Sequence, residues 1–383
     1  MRITPIACKG FTLVEMLIAL TLGLVVIGAA VQLFSRALSA TWIVSQRAEL
    51  QQNARASSNL LIKDISLAGA GLPTGGVALA SGTASKPRYG CDYTGKCYLG
   101  PANSSSMTYP TQTDATTGNT INYLYGVIPG WQQGVTVNTP PGSTDVITVV
   151  YADTSLLLGD YTVKFNDLNG NSVTFTLPLP GPNPLDQGVN NTGVGLQQGD
   201  LVLFSSNAGT AYGVAEVTAA LGAGAGPSYN VSFSNADSLL FNQNAATSNA
   251  LKQIATTAGI AGTAVGVTAI RIWPITYYLD KTTNPGTPTL MRLVNARAPV
   301  PVAENVVDLR FTYDTYDSIG NLLNATGDGG LGLVIPVSPS QIRTINLAHL
   351  TIRSQLPGQS GYQSMDMQTS VSARNMSFSD RYK

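Results

Sequence analysis

Lys9-Gly10-Phe11-Thr12-Leu13-Val14-Glu15 opens an apolar run that continues unbroken to Phe34, and this stretch decides what kind of chain the 383 residues form. Between Phe11 and Phe34 the only ionisable side chain is Glu15. The run is 24 residues long. As a helix rising about 1.5 Å per residue it measures roughly 36 Å, enough to cross the hydrocarbon core of a bilayer. A secretory signal peptide has a shorter apolar region and a small-residue cut site behind it. Here the basic residues Arg2 and Lys9 and the glycine stand in front. A cut between Gly10 and Phe11 therefore leaves the hydrophobic helix in the mature chain. An ordinary signal anchor accounts for the hydrophobicity but gives no reason for Gly-Phe at the border or for Glu15.

An acid within a bilayer costs about 2.5–3.5 kcal/mol on insertion scales and normally takes a partner. Cleavage after Gly10 creates one, the α-amine of Phe11, four residues before Glu15 and on the same helix face. The amine of a neighbouring subunit is the second candidate. The plain alternative is an acid near the interface that snorkels to water.

The helix continues beyond the span. No proline occurs between Pro5 and Pro73, and the helical part contains glycine only at Gly23 and Gly28. After Phe34, Leu50, Ala54, Ser57, Leu61 and Ile65 recur at three- and four-residue steps, with Arg47, Glu49, Gln52, Arg55 and Lys63 mostly off that stripe. Gly69, Gly71 and Pro73 supply a stop. The pattern predicts a single helix over 11–68, with 11–34 transmembrane and the second half laying its stripe on a globular head. An exposed coiled coil would need more clean heptads than these.

Removing residues 1–10 takes Arg2 and Lys9 from the 21 basic side chains and none of the 21 acidic ones, leaving a formal charge of −2. Charged residues make up 11% of the chain, which gives no electrostatic warrant for nucleic-acid binding. Cys8 falls in the leader. Cys91 and Cys97 remain, six residues apart, and in an exported chain such a pair reads as a disulfide closing a small loop. Free thiols are the alternative; a metal site needs more ligands, and the one histidine, His349, is far off in sequence.

Past Pro73, short β-like runs alternate with Gly-, Pro- and Asn-rich punctuation. Strands are predicted at 145–151, 161–165, 172–177, 200–204, 212–218, 229–233, 269–279, 289–294, 306–313, 342–353 and 367–374, with a short helix within 245–260. Segments 74–88, 100–120, 180–198, 220–228 and 318–330 read as surface loops. Asp167-Leu-Asn-Gly-Asn171 shares the start of a calcium loop but lacks the closing glutamate, so it reads as the turn of a hairpin. Alternation in Arg271–Leu279 and Val306–Tyr313 implies one buried and one solvated sheet face, with Pro274 marking an edge or a bulge. Trp131, Trp273 and Tyr278 are expected to be ordinary sheet aromatics rather than ligand contacts. One histidine, no Gly-x-Ser-x-Gly and no phosphate-binding loop leave no catalytic constellation, and neither a cofactor nor a metal is expected.

The stretch from Lys9 to Glu15 resembles the processing site of type IV prepilins and of the related pseudopilins of type II secretion. Ile275-Thr-Tyr-Tyr-Leu-Asp280, Leu290-Met-Arg-Leu293, Val302-Ala-Glu-Asn-Val-Val-Asp-Leu-Arg-Phe-Thr-Tyr-Asp314, Gln341-Ile-Arg-Thr-Ile-Asn-Leu-Ala-His-Leu-Thr-Ile-Arg353 and Thr369-Ser-Val-Ser-Ala-Arg-Asn375 look like the PilW-type minor pilins. Gly199-Asp-Leu-Val-Leu-Phe204 and Leu61-Ile-Lys-Asp-Ile65 also fit. The resemblance covers 8–72 and, in patches, 265–375; little in 73–260 matches.

It implies an α+β, type IV pilin-like fold: a leader over 1–10, a pilin helix over 11–68, a variable β-rich region over 69–264, and a C-terminal β portion over 265–383. It further implies cleavage between Gly10 and Phe11, N-methylation of Phe11, and recruitment of an incoming subunit through Glu15. The partners it implies are major and other minor pilins, the prepilin peptidase, an inner-membrane assembly platform and a tip adhesin. The chain would sit in the inner membrane with its head in the periplasm before assembly, and in a surface pilus afterwards. The function implied is initiation of type IV pilus assembly at or near the tip. A minor pseudopilin remains an alternative. So does a recognition subunit for adhesion or DNA uptake, although 73–260 offers only Lys86, Arg88, Lys96, Lys164 and Lys252 for a basic strip.

Overall fold

Helix α1 (Leu13–Ser66) runs as one element of 54 residues through Gly23 and Gly28 in this computed structural model. The structure describes residues 10–376 apart from 114–117, 138–141, 178–187, 207–210, 220, 222–227, 259–265, 284, 324–332, 334–335, 337 and 356–361. The expected leader, with Cys8, and parts of the expected loops at 180–198, 220–228 and 318–330 lie outside the described residues. The architecture is α+β: a long apolar N-terminal helix followed by a large antiparallel β head.

The chain divides into two compact units, residues 1–52 with 354–363, and residues 53–353 with 364–383. In the first, the helix is exposed from Leu13 to Val44 on nearly every side. A hydroxyl within the apolar run is satisfied inside the helix, Thr21 Oγ1 donating to the carbonyls of Leu17 and Ile18 at 3.1 and 2.9 Å. This is what a lipid surround demands of a polar group. Further along, Arg47 Nε donates to Gln363 Oε1 at 3.1 Å.

In the second unit, the last turns of α1 are core. Ala54, Ser57, Leu61 and Ile65 are each fully buried, while Arg55 and Lys63 face solvent. The three- and four-residue steps put these small and branched side chains on one face. The helix stops where Gly69 (φ +80°) donates its N–H to the Val150 carbonyl at 2.8 Å. At Gly71 (φ +71°), a Cβ would stand 2.5 Å from that of Ala152. Close approach and left-handed backbone thus fix glycine at the turn.

The strands follow in order: β1 (Val77–Ala78), β2 (Arg88–Tyr89), β3 (Met107–Thr108), β4 (Thr111–Thr113), β5 (Thr120–Leu124), β6 (Val127–Gly130), β7 (Val146–Ala152), β8 (Thr162–Phe165) and β9 (Ser172–Thr176). Next come β10 (Leu201–Ser206), β11 (Tyr212–Glu216) and β12 (Ser228–Ser232), then helix α2 (Leu251–Ala258). The chain continues with β13 (Val267–Asp280), β14 (Thr289–Val294), β15 (Val300–Ala303), β16 (Val306–Thr315), β17 (Ile342–Gln355) and β18 (Tyr362–Ser372). A seven-stranded sheet has the order β11-β10-β13-β14-β15, with β7 pairing β13 and β6 pairing β7. The other sheets among the described residues are the three-stranded β1-β5-β4, β12-β9-β8 and β16-β17-β18 and the pair β2-β3.

The period of two along β10 and β11 sorts their side chains into two cores. Leu201, Leu203 and Val214 join Tyr89, Tyr109, Val150, Phe241 and Ile272. Val202, Phe204 and Ala215 join Phe165, Phe175, Phe233 and Ile254 of α2.

Two expectations are corrected here. Arg271–Leu279 does not carry one solvated face: Tyr277, Tyr278 and Leu279 are buried in succession, because both faces of β13 are covered. Pro274 is also at neither an edge nor a bulge. It lies in the strand paired with β7, β10 and β14, opposite Val150. A ladder position tolerates proline when no N–H is required of it. Here Val150 sends its own N–H to the Gly126 carbonyl, and the Pro274 carbonyl accepts the N–H of Asn295 at 2.9 Å. The loops expected at 74–88 and 100–120 in turn contain the short strands β1, β3 and β4, and β2 begins at Arg88.

Candidate functional site

The helix start is built by four residues. Gly10, Phe11 and Thr12 precede the first helical residue, Leu13, and all three are exposed, Phe11 at 79%. Thr12 and Glu15 form a reciprocal capping box. The Glu15 N–H donates to Thr12 Oγ1 at 3.3 Å, and Glu15 Oε2 accepts the Thr12 N–H at 3.0 Å and the Thr12 hydroxyl at 2.9 Å. A helix start leaves its first N–H groups without partners, and a Thr-x-x-Glu spacing supplies two of them locally. The carboxylate is thereby held beside the backbone of Thr12, immediately after the Gly10–Phe11 bond. Thr12 is a functional residue the sequence reading did not use, although Thr-Leu-Val-Glu ahead of an apolar run carries that signature.

Beyond it, α1 presents an unbroken apolar surface. Leu13, Leu17, Leu20, Leu24, Ile27, Val31 and Phe34 are among many large side chains more than half exposed. The described residues contain one helix long and apolar enough to cross a membrane, and it is this one.

The far end of α1 is fixed in the head by Asp64, which sequence pattern alone did not single out. Its side chain is 2% exposed. Oδ2 accepts the Tyr277 hydroxyl at 2.6 Å and Arg292 Nε at 2.8 Å; Oδ1 accepts the Tyr151 hydroxyl at 3.2 Å. β7, β13 and β14 thus each contribute one donor to a single carboxylate. Burial, then the Asp64 charge, pushes both phenols above their ordinary range. Burial opposes the Arg292 charge, but the hydrogen bond and charge of Asp64 outweigh it and raise the guanidinium further. A buried carboxylate with this many donors is held in place.

Cys91 and Cys97 are joined in a disulfide. Asp92 braces the loop from within: its Oδ1 accepts the N–H groups of Thr94 and Lys96 at 2.9 and 3.1 Å, and its Oδ2 accepts the Tyr98 hydroxyl. Asp167 acts alike in the β8–β9 turn, Oδ1 accepting the Asn169 and Asn171 N–H groups and Oδ2 that of Ser172. Three backbone donors occupy this carboxylate, which organises the turn. His349 is half exposed, its Nδ1 2.8 Å from Asp366 Oδ2 across β17 and β18. Trp131 is 40% exposed, and Tyr278 is buried against Tyr98. Among the described residues, no group of three or more His, Cys, Asp or Glu side chains is placed to hold a metal ion.

Residues 7–31 match the family model of the prokaryotic N-terminal methylation motif. No curated protein and no solved structure matches the chain. The motif supports a type IV pilin- or pseudopilin-like protein, a structural subunit rather than an enzyme. It implies assembly with other pilins and handling by the peptidase that processes them. Motif and apolar helix together fit membrane anchoring before assembly.

Proposed function

We propose that the chain is a PilW-type minor pilin that helps initiate type IV pilus assembly at or near the tip. The observation that carries this reading is the helix start. An exposed Gly10–Phe11 bond outside the helix is followed by a carboxylate held at the first turn of an otherwise apolar, exposed span. In this reading the leader ends at Gly10, prepilin peptidase cuts before Phe11 and methylates the new amine, and Glu15 pairs with the amine of an adjoining subunit. The pilin segment is then 11–68, which contains α1, and the region to 264 forms the variable part of the head.

An acid in a low-dielectric helix bundle gains most from a cation placed against it, and the amine made by cleavage is such a cation. A head of some 310 residues is larger than packing around a repeating shaft requires, which favours a terminal position. Major and other minor pilins, the assembly platform and a tip adhesin are the partners of this reading. The inner membrane, and then the cell-surface pilus, are its locations.

Deleting the gene and scoring surface pili beside type II cargo secretion tests it. Loss of pili with secretion intact, restored by wild type but not by Glu15→Ala, is the expected result. Lost secretion with normal pili would make the chain a minor pseudopilin. Normal pili and secretion with impaired attachment or DNA uptake would make the head a recognition module.

A further inference from the structure

A pair of buried acids lies in the head, far in sequence from the helix start, and the assembly reading has no use for it. Glu216, the last residue of β11, is 1% exposed, and Asp237, in the segment that returns along β11, is 6% exposed. Neither carboxylate has a salt-bridge partner among the described residues. Glu216 Oε2 accepts the Leu239 N–H at 3.0 Å. Asp237 Oδ2 accepts the N–H groups of Phe241 and Asn242, while its Oδ1 is buried with no partner. Tyr109, packed against Phe241 with ring centroids 5.6 Å apart, likewise has a buried hydroxyl with no partner.

The charged or titratable groups facing Glu216 are few. From its own return segment there is Asp237; from β2 there is Arg88, whose Nε donates to the Ser238 carbonyl at 3.0 Å; and before β4 there is Tyr109. β1 and β10, packed on β11, carry no titratable side chain, and α2 meets β11 at Gly213 through Leu251 and Ile254. Two buried carboxylates thus confront one arginine that bonds a carbonyl. Both ionised at once, they would repel each other in a medium that screens poorly.

We propose that Glu216 and Asp237 hold one proton between them, and that this proton keeps the segment 237–244 latched onto β11. The segment is a tie. Asn242 Oδ1 accepts the Glu216 N–H at 2.9 Å, and Asn242 Nδ2 donates to the Glu216 carbonyl at 2.7 Å. Gln243 Oε1 accepts the Thr83 hydroxyl, and Asn244 Nδ2 donates to Asn171 Oδ1 at 3.1 Å in the β8–β9 turn. The segment therefore bonds to the chain beside both apolar cores of the head. Loss of the proton sets two anions against each other beneath it.

Burial first, and then the Asp237 charge, push the Glu216 carboxyl up to about 8. Burial likewise raises Asp237. A folded value above the unfolded one means the latch is fully stabilising below the ordinary carboxylate range. It weakens progressively above that range, and the loss is complete once pH has passed about 8, where the folded carboxyl also gives up its proton.

The test is hydrogen exchange of the full-length chain in detergent micelles, followed by mass spectrometry and corrected for the intrinsic rate, between about pH 6 and 9. In the wild type, protection of 237–244 falls by up to about tenfold for each pH unit approaching about 8 and levels off above it. Glu216→Gln, which keeps the shape without the charge, abolishes that dependence. Asp237→Asn removes the repelling charge and moves the transition to lower pH, a shift that a merely structural role would not produce. Protection independent of pH in the wild type, or an unmoved transition in Asp237→Asn, overturns the proposal. Should Glu216→Gln fail to fold, the Asp237→Asn comparison decides.

Discussion

Thr12 and Glu15 do different work at one helix start, and single substitutions separate them. Thr12→Ala removes a hydroxyl that both donates to the carboxylate and accepts the Glu15 N–H. The first turn should lose about 1 kcal/mol. Amide exchange of residues 13–16 in micelles would register this as faster exchange there and unchanged exchange beyond Thr21. Glu15→Ala leaves the cut before Phe11 intact but keeps the processed subunit out of the filament; a sheared-pilus fraction containing the variant at the wild-type level would refute its assembly role. A Cβ at Gly10 would meet nothing within 4 Å. Gly10→Ala should therefore leave the head's thermal midpoint unchanged, and any slower processing would reflect the peptidase's own pocket. At the other end of α1, Asp64→Ala leaves Arg292 without its anion and the phenols of buried Tyr277 and half-buried Tyr151 without this acceptor. Breaking one side of a buried pair costs about 3–5 kcal/mol, and denaturant midpoints should show a loss of that order, smaller for Asp64→Asn.

Elements were legible where one physical rule acts over many residues. The run from Phe11 to Phe34 and the stripe Ala54–Ser57–Leu61–Ile65 announce α1, and β14 occupies the residues its Val- and Leu-rich pattern indicates. The β8–β9 hairpin was readable from its Asn-Gly turn. What escaped is set by partners distant in sequence. β1 has two residues, and it is a strand only because Val77 and Ala78 meet Leu124 and Tyr123. Pro274 reads as an edge signal until one knows that Val150 bonds elsewhere. Asp64 looked like one more polar residue near a helix end, because its donors arrive from positions 151, 277 and 292. The same distinction predicts how α1 responds to change. Cβ atoms at Gly23 and Gly28 would touch nothing within 4 Å. Alanine at either should stabilise the helix by about 1 kcal/mol, seen as slower amide exchange around the site. If the helix must loosen there during assembly, the double variant will assemble poorly despite normal processing.

In the whole molecule the described chain puts its two kinds of apolar surface to separate use, exposed along the first turns of α1 and enclosed in the head. A terminal position in the filament predicts that gold label on the head marks one end of a pilus, and regular decoration of the shaft would contradict it. The last turns of α1 also bear on how the head can be made alone. Ala54, Ser57, Leu61, Asp64 and Ile65 are interior residues of the unit that runs from 53. A truncation at Gly69, the natural choice for anyone trimming away a membrane helix, would discard a wall of that interior. The expected product is insoluble, or elutes as aggregate on size exclusion. A truncation near Asn53 keeps the wall and should yield a monodisperse fragment. The border between anchor and cargo therefore falls in mid-helix, where no loop, glycine or proline advertises it.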